Sequence, residues 1–187
     1  MAKIYHVTVL PGDGIGPEVM TATRKVVDAT GVSIIWEEVP IGLAAFTAVG
    51  SLLPYSTLDS IERNRVALKG PTGTPLGGGH RSLNVTLREH FHLFANIRPM
   101  RSMPGVVTPF PGLDLIVFRE NSEDLYVGEE HYVDADEKIA EAVSRISWKG
   151  SERIARFAFA YAKWHGRRKM AVGHKANILK LTHGLWL

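Results

Sequence analysis

The chain has 187 residues, with 22 Lys+Arg against 19 Asp+Glu and a net charge of +3. Apolar residues make up 45% and charged residues 22%, which excludes a disordered or collagen-like chain and leaves enough side chain for a sizeable core. With no cysteine, disulfides, Cys-ligated zinc and thiol catalysis are excluded.

Three excess charges make a weak field, and the densest basic runs are only Arg98–Arg101 and Arg167–Lys169. Nucleic acid is therefore not expected as a partner. No apolar run approaches the roughly 20 residues of a membrane span, so no membrane partner is expected either. The apolar run 4–10 begins almost at once and leaves no room for a signal core. The chain reads as a soluble, cytoplasmic α/β protein.

Residues 4–10 are β-branched and apolar and read as a strand, broken by Pro11-Gly12-Asp13-Gly14-Ile15-Gly16. Pro17 suits the first turn of a helix and Glu18 complements its positive start. Val19, Thr23, Val26 and Val27 are expected on its buried face, and Gly31 ends it. Residues 32–39 read as a strand, 57–63 as a short helix and 65–69 as another strand. That alternation predicts an α/β layer with parallel pairing. Residues 70–79 are rich in Gly, Pro and Thr and carry no charge, the composition of a functional loop. Residues 82–94 are partly helical and 115–119 read as a strand. Residues 133–146 fit either strand or helix. The clearest helix is 151–164, with Ile154, Phe157, Ala158 and Tyr161 at the spacing of one buried face. Gly166 stops it, a strand is expected at 170–172, and a helix is expected after Asn177. That last pattern stops at Trp186-Leu187 with no stop signal, and a truncated chain is expected.

Gly12, Gly14 and Gly16 do not fit a dinucleotide fingerprint, whose third glycine would fall at Pro17. A tight strand-to-helix turn is the simpler reading. Gly77-Gly78-Gly79 lacks the Lys-Ser/Thr of a phosphate loop. His90 and His92 lie in a helical stretch without enough companions for zinc, and are expected on a helix surface. Arg88, Arg98 and Arg119 each lie near the end of an apolar segment. Guanidinium forks grip carboxylates bidentately, so three could converge on a small polyacid, although an Arg taken alone is more often a surface residue.

Five separated blocks resemble the isocitrate and isopropylmalate dehydrogenase family in order and spacing: LPGDGIGPEV (10–19), LKGPTGTPLGGGHRSLNVTLRE (68–89), FANIRP (94–99), FRENSEDLYVGEE (118–130) and HKANILKLTHGLWL (174–187). Within it, Arg81-Ser82-Leu83-Asn84-Val85 resembles isocitrate dehydrogenase, whose polar Ser82 and Asn84 suit a third carboxylate. Isopropylmalate enzymes carry a more apolar segment there.

The resemblance implies an α/β fold that is not a Rossmann fold, made of part of a large domain (1–93) and part of a small one (94–187). A clasp-like segment at 124–147 would pair with a second subunit in a homodimer. It implies oxidative decarboxylation of isocitrate to 2-oxoglutarate, with NAD or NADP as acceptor and Mg²⁺ or Mn²⁺ as Lewis acid. Arg88, Arg98 and Arg119 would clamp carboxylates, with Ser82 and Asn84 on the remaining one. Tyr126 would protonate the enolate carbon, and Lys175, acting on the neighbouring subunit, would assist hydroxyl deprotonation. Lys69, Thr74 and Asn177 would lie near the nicotinamide. The metal aspartates and most of the adenosine pocket are expected after Leu187. Two other readings stay open: a non-catalytic regulatory or remnant subunit of the family, or a sister enzyme acting on homoisocitrate, tartrate or 3-isopropylmalate.

Overall fold

The computed structural model describes residues 3–73, 82–136 and 138–187. The chain divides into two compact units, Met1–Thr86 and Leu87–Leu187.

The first unit is built on a three-stranded parallel sheet. Strand β1 (Tyr5–Leu10) runs between β2 (Ile34–Glu38) and β3 (Ala67–Lys69). Being central, β1 buries Val7, Thr8, Val9 and Leu10 in succession, the continuous burial of a parallel strand covered on both faces. Parallel neighbours need crossovers. They are supplied by α1 (Gly16–Asp28), and by α2 (Leu43–Val49) with α3 (Tyr55–Asn64). Burying Thr8 requires partners for its hydroxyl: it lies 2.8 Å from Ser60 Oγ, and Asn64 Nδ2 donates to it at 2.9 Å.

The parallel layer, α1 and α3 agree with the sequence reading. The buried face of α1 agrees in part. Met20 is buried and Thr23 and Val27 are half-buried on the same stripe, while Val19 is 46% and Val26 70% exposed. Arg24, packed over Trp36 with 5.5 Å from guanidinium carbon to ring centroid, covers part of that side. Helix α2 is absent from the sequence reading because it has no side-chain cap and only seven residues.

The glycines after β1 make a packing joint. A Cβ on Gly12 would overlap Pro71 O, and a Cβ on Gly16 or on Gly70 would overlap Pro11 O. Gly12 also has φ +79°, which disfavours any side chain. The β1–α1 turn and the turn after β3 therefore lie backbone against backbone. Asp13 ties this joint to α2: Leu43 N and Ala44 N donate to Oδ1 at 2.8 and 3.3 Å, and Gly73 N to Oδ2 at 2.8 Å.

In the second unit, β4 (Ala95–Arg101) and β5 (Asp114–Glu120) pair antiparallel over their full length. Helix α5 (Trp148–Trp164) packs on one face of this ribbon. Phe118 meets Phe157 and Tyr161 edge-on at 6.0 and 5.1 Å between centroids, and Phe94 meets Phe157 at 5.7 Å. Ile154, Ala158 and Ala162 complete the buried stripe of α5. Its start is doubly fixed. Ser147 Oγ accepts from Gly150 N at 2.9 Å as the N-cap, while Ser147 N donates to Glu123 at 2.9 Å. At the other end Arg167 donates to Asp114 Oδ1 at 2.6 Å. That bond, reinforced by Arg101, holds the Asp114 carboxyl below the usual carboxylate range.

Residues 124–147 contain a short antiparallel ribbon, β6 (Glu130–Tyr132) with β7 (Ala140–Ala142). Of the range 133–146, open between strand and helix, the described residues form a strand at Ala140–Ala142 and no helix. Two expectations fail. Residues 170–172 form no strand, because nothing among the described residues pairs with them. After Asn177 the chain makes turns and one 3-10 stretch, His183–Trp186, rather than a helix.

Candidate active site

The ribbon of the second unit sets out the basic residues by alternation. Side chains on a strand point to opposite faces in turn, and directly paired residues share a face. Asn96 pairs with Arg119 and Arg98 with Val117, so Asn96, Arg98 and Arg119 occupy one face. The paired residues Ile97 and Phe118 lie on the other, where Phe118 meets α5.

After β5 the chain reverses on Glu120. Its carboxylate accepts from Ser122 N and Glu123 N, both at 2.8 Å, and from Ser122 Oγ at 2.6 Å. Asp124 then takes φ +64° and ψ −139°, a region that non-glycine residues rarely enter. Its N–H donates to Arg145 O at 2.7 Å and its carboxylate accepts from Ser144 Oγ. This pinned residue opens a 3-10 turn, Leu125–Val127, that carries Tyr126. The half-buried Tyr126 ring meets two guanidinium groups: Arg119 at 5.0 Å and Arg88 at 5.9 Å from the centroid.

Arg88 comes from helix α4 (Leu83–His90). Leu83 and Leu87 are buried, and residues four apart stack on one helical stripe. Asn84 and Arg88 therefore share the next stripe, with Asn84 exposed and Ser82 half-buried just before the helix. Ser82 O accepts from Thr86 N at 3.0 Å, which starts the helix.

Arg63, Arg101, Arg145 and Arg167 each hold a carboxylate. Among the described residues, Arg88, Arg98 and Arg119 have no carboxylate partner. A cation–π contact is worth about 0.5–1 kcal/mol at exposed sites. It does not remove the repulsion between two guanidinium groups on one ring, so the arrangement favours an anion between them.

Lys69 Nζ donates to Gly70 O at 2.9 Å and Thr72 Oγ1 at 3.1 Å. Thr74, like Gly77–Gly79 and Arg81, lies outside the described residues. Lys175 and Asn177 are exposed in the C-terminal turns, where Lys175 N donates to His183 Nδ1 at 2.9 Å. No contact links either to Tyr126. His90 ends α4 edge-on to Phe91 at 4.7 Å. Among the described residues no three His, Cys, Asp or Glu side chains gather as a divalent cation requires. No helix among them is long and apolar enough to cross a membrane.

Sequence reasoning passed over Glu120 and Asp124, which shape the turn that carries Tyr126, and Asp13, which ties the glycine joint of the first unit. Only Asp13, an acidic residue inside a glycine turn, carried a local signal.

The sequence model of the isocitrate/isopropylmalate dehydrogenases matches residues 6–187. A mitochondrial isocitrate dehydrogenase [NAD] catalytic subunit 5 of Arabidopsis thaliana is 47% identical over 96% of this chain and 48% of its own length. The chloroplastic 3-isopropylmalate dehydrogenase of Solanum tuberosum is 44% identical over 100% of this chain and 52% of its own. The crystal structure of isocitrate dehydrogenase from Methylococcus capsulatus superimposes with a TM-score of 0.90 at 49% identity, over 97% of this chain and 54% of that one. The chain thus spans about half the length of the relatives it matches.

Proposed function

This chain belongs to the isocitrate/isopropylmalate dehydrogenase family, and from that premise we propose that it supplies the carboxylate-binding face and the proton donor of an isocitrate dehydrogenase. The observation that carries the reading is the meeting of Arg88 and Arg119 on the Tyr126 ring, with Arg98 on the same ribbon face as Arg119. Three cations without carboxylate partners suit a polyacid. One phenol hydroxyl among them suits a proton donor.

In this reading the guanidinium groups bind and orient isocitrate through its carboxylates. Holding the substrate rigidly against a positioned acid is worth a large part of a barrier. The nicotinamide dinucleotide, when bound, accepts the electrons of the C2 oxidation. Loss of carbon dioxide from the resulting β-keto acid leaves an enolate, and the Tyr126 hydroxyl donates its proton to the enolate carbon. The two guanidinium groups at the Tyr126 ring would support the enolate while it lasts. Ser82 and Asn84 would hold the third carboxylate. Lys175 would take up the hydroxyl proton, and Lys69, Thr74 and Asn177 would face the nicotinamide of NAD or NADP. The family parallel adds a homodimer built through the 124–147 ribbon, and a division of the subunit near residue 93.

The likeness to the potato enzyme supports a second reading, with 3-isopropylmalate as substrate. Ser82 and Asn84 speak against it, since an alkyl group gains nothing from two polar side chains. A substrate panel separates the two. Oxidation of isocitrate well above that of 3-isopropylmalate is the expected result, and the reverse order would assign the sister activity.

A further inference from the structure

Arg98 and Arg101 lie on the same strand, yet their Nε groups meet different partners. Arg101 Nε donates to the Asp114 carboxylate at 3.3 Å. Arg98 Nε donates to the neutral amide oxygen of Asn96 at 3.0 Å. Asn96 is half-buried, two residues before Arg98 on the same face, and paired across the ribbon with Arg119. It therefore sits between two of the unpaired cations.

A guanidinium has two edges that can grip a carboxylate, one made of Nε with one Nη and one made of both Nη groups. Asn96 occupies Nε, which leaves the Nη–Nη edge free and fixes the plane of the group. An amide orients without neutralising. A carboxylate at the same place would orient equally well but would cancel the charge that the substrate must meet, as Asp114 does for Arg101. We infer that Asn96 is a positioning residue for isocitrate: it aims the Nη edge of Arg98 at a substrate carboxylate while leaving its full charge available. The inference rests on the reading of this face as the isocitrate site. It adds the residue that decides which edge of Arg98 binds.

The test uses the 187-residue protein, with isocitrate as titrant in calorimetry and the side-chain Nε–H signals of arginine in ¹H–¹⁵N spectra. In the parent, the Arg98 Nε–H, assigned by its loss in Arg98→Lys, exchanges more slowly than that of an exposed arginine. Asn96→Ala speeds that exchange and weakens isocitrate about three- to tenfold, the scale of one hydrogen bond. Asn96→Asp keeps the slow exchange but weakens isocitrate by more than the Ala variant, about tenfold or beyond. A merely structural role would not separate the two readouts in this way. Parent-like affinity in both variants overturns the inference and leaves the isocitrate site standing. An Arg98 Nε–H as fast as an exposed one in the parent overturns it without any Asn96 variant. Failure of the parent to bind isocitrate, with Arg98→Lys and Arg119→Lys no different, removes the site and the inference together.

Discussion

The guanidinium carbon of Arg119 lies 5.0 Å from the ring centroid of Tyr126, although the two residues come from different elements. Arg119 is fixed by the register of β5 against β4, and Tyr126 by a 3-10 turn begun at a strained Asp124. The contact exists because the chain reverses tightly over Glu120 between them. Arg119 and the Tyr126 ring are thus set side by side by backbone geometry.

If Tyr126 delivers the final proton, Tyr126→Phe keeps isocitrate binding but loses rate on the order of 10²–10⁴-fold in the active protein. The ring and its contacts with Arg88 and Arg119 remain, so the melting temperature should change little. Steady-state kinetics alongside calorimetric titration would check both halves. A Phe variant at full rate would remove Tyr126 from the chemistry.

Asn84, exposed one turn before Arg88, is expected to donate a hydrogen bond to the third carboxylate. Loss of a hydrogen bond to a charged group costs about 1.5–3 kcal/mol, so Asn84→Ala should weaken isocitrate use roughly ten- to a hundredfold. Measured with 3-isopropylmalate, the same variant should lose little. Equal losses on both substrates would mean that Asn84 supports the helix and not the choice of substrate.

Gly12 and Gly14 provide a contrast within one turn. A Cβ on Gly12 would run into the backbone of Pro71, while one on Gly14 meets nothing within 4 Å. Both have positive φ. Gly12→Ala should cost about 1–3 kcal/mol or more through overpacking, against about 1 kcal/mol for Gly14→Ala from backbone conformation alone. Urea unfolding midpoints of the two variants measure this directly. Coincident midpoints would contradict the backbone-to-backbone joint.

The Asp114–Arg167 pair makes a prediction about pH. Because the folded carboxyl is held low, chiefly by the Arg167 hydrogen bond, its contribution is present above the unfolded pKa of about 3.9 and is lost as pH falls through the lower folded value. Asp114→Asn should therefore melt below the parent at pH 7, and the gap should close as pH drops below about 4. A gap that persists unchanged into acid would assign the effect to packing instead.

Much of this architecture was legible in the sequence where local signals and tertiary packing agreed. The apolar run of β1, the Pro17 helix start and the Phe157/Tyr161 stripe of α5 each say locally what the fold requires. The buried face of α1 misled in part because Val19 and Val26 look more apolar than the Met20 line that the sheet selects. The expected strand at 170–172 had the right composition but no pairing partner, and a strand exists only in its pairing. In the site, Arg98 and Arg119 could be nominated but not placed together, since the β4–β5 register is invisible without the turn over residues 102–113. The pinning of Asp124 by Ser144 and Arg145 joins positions twenty and more apart, beyond the reach of any local motif.

The central claim is that the face formed by Arg88, Arg98 and Arg119 is built for isocitrate. Calorimetric titration of the protein with isocitrate and with 3-isopropylmalate, at the same pH and salt, tests it most directly. Isocitrate should bind at least about tenfold more tightly, the scale of one added charge-assisted contact; Asn84→Ala should remove most of that advantage, while Arg119→Ala should weaken both ligands. Equal affinities, or tighter binding of 3-isopropylmalate, would contradict the assignment.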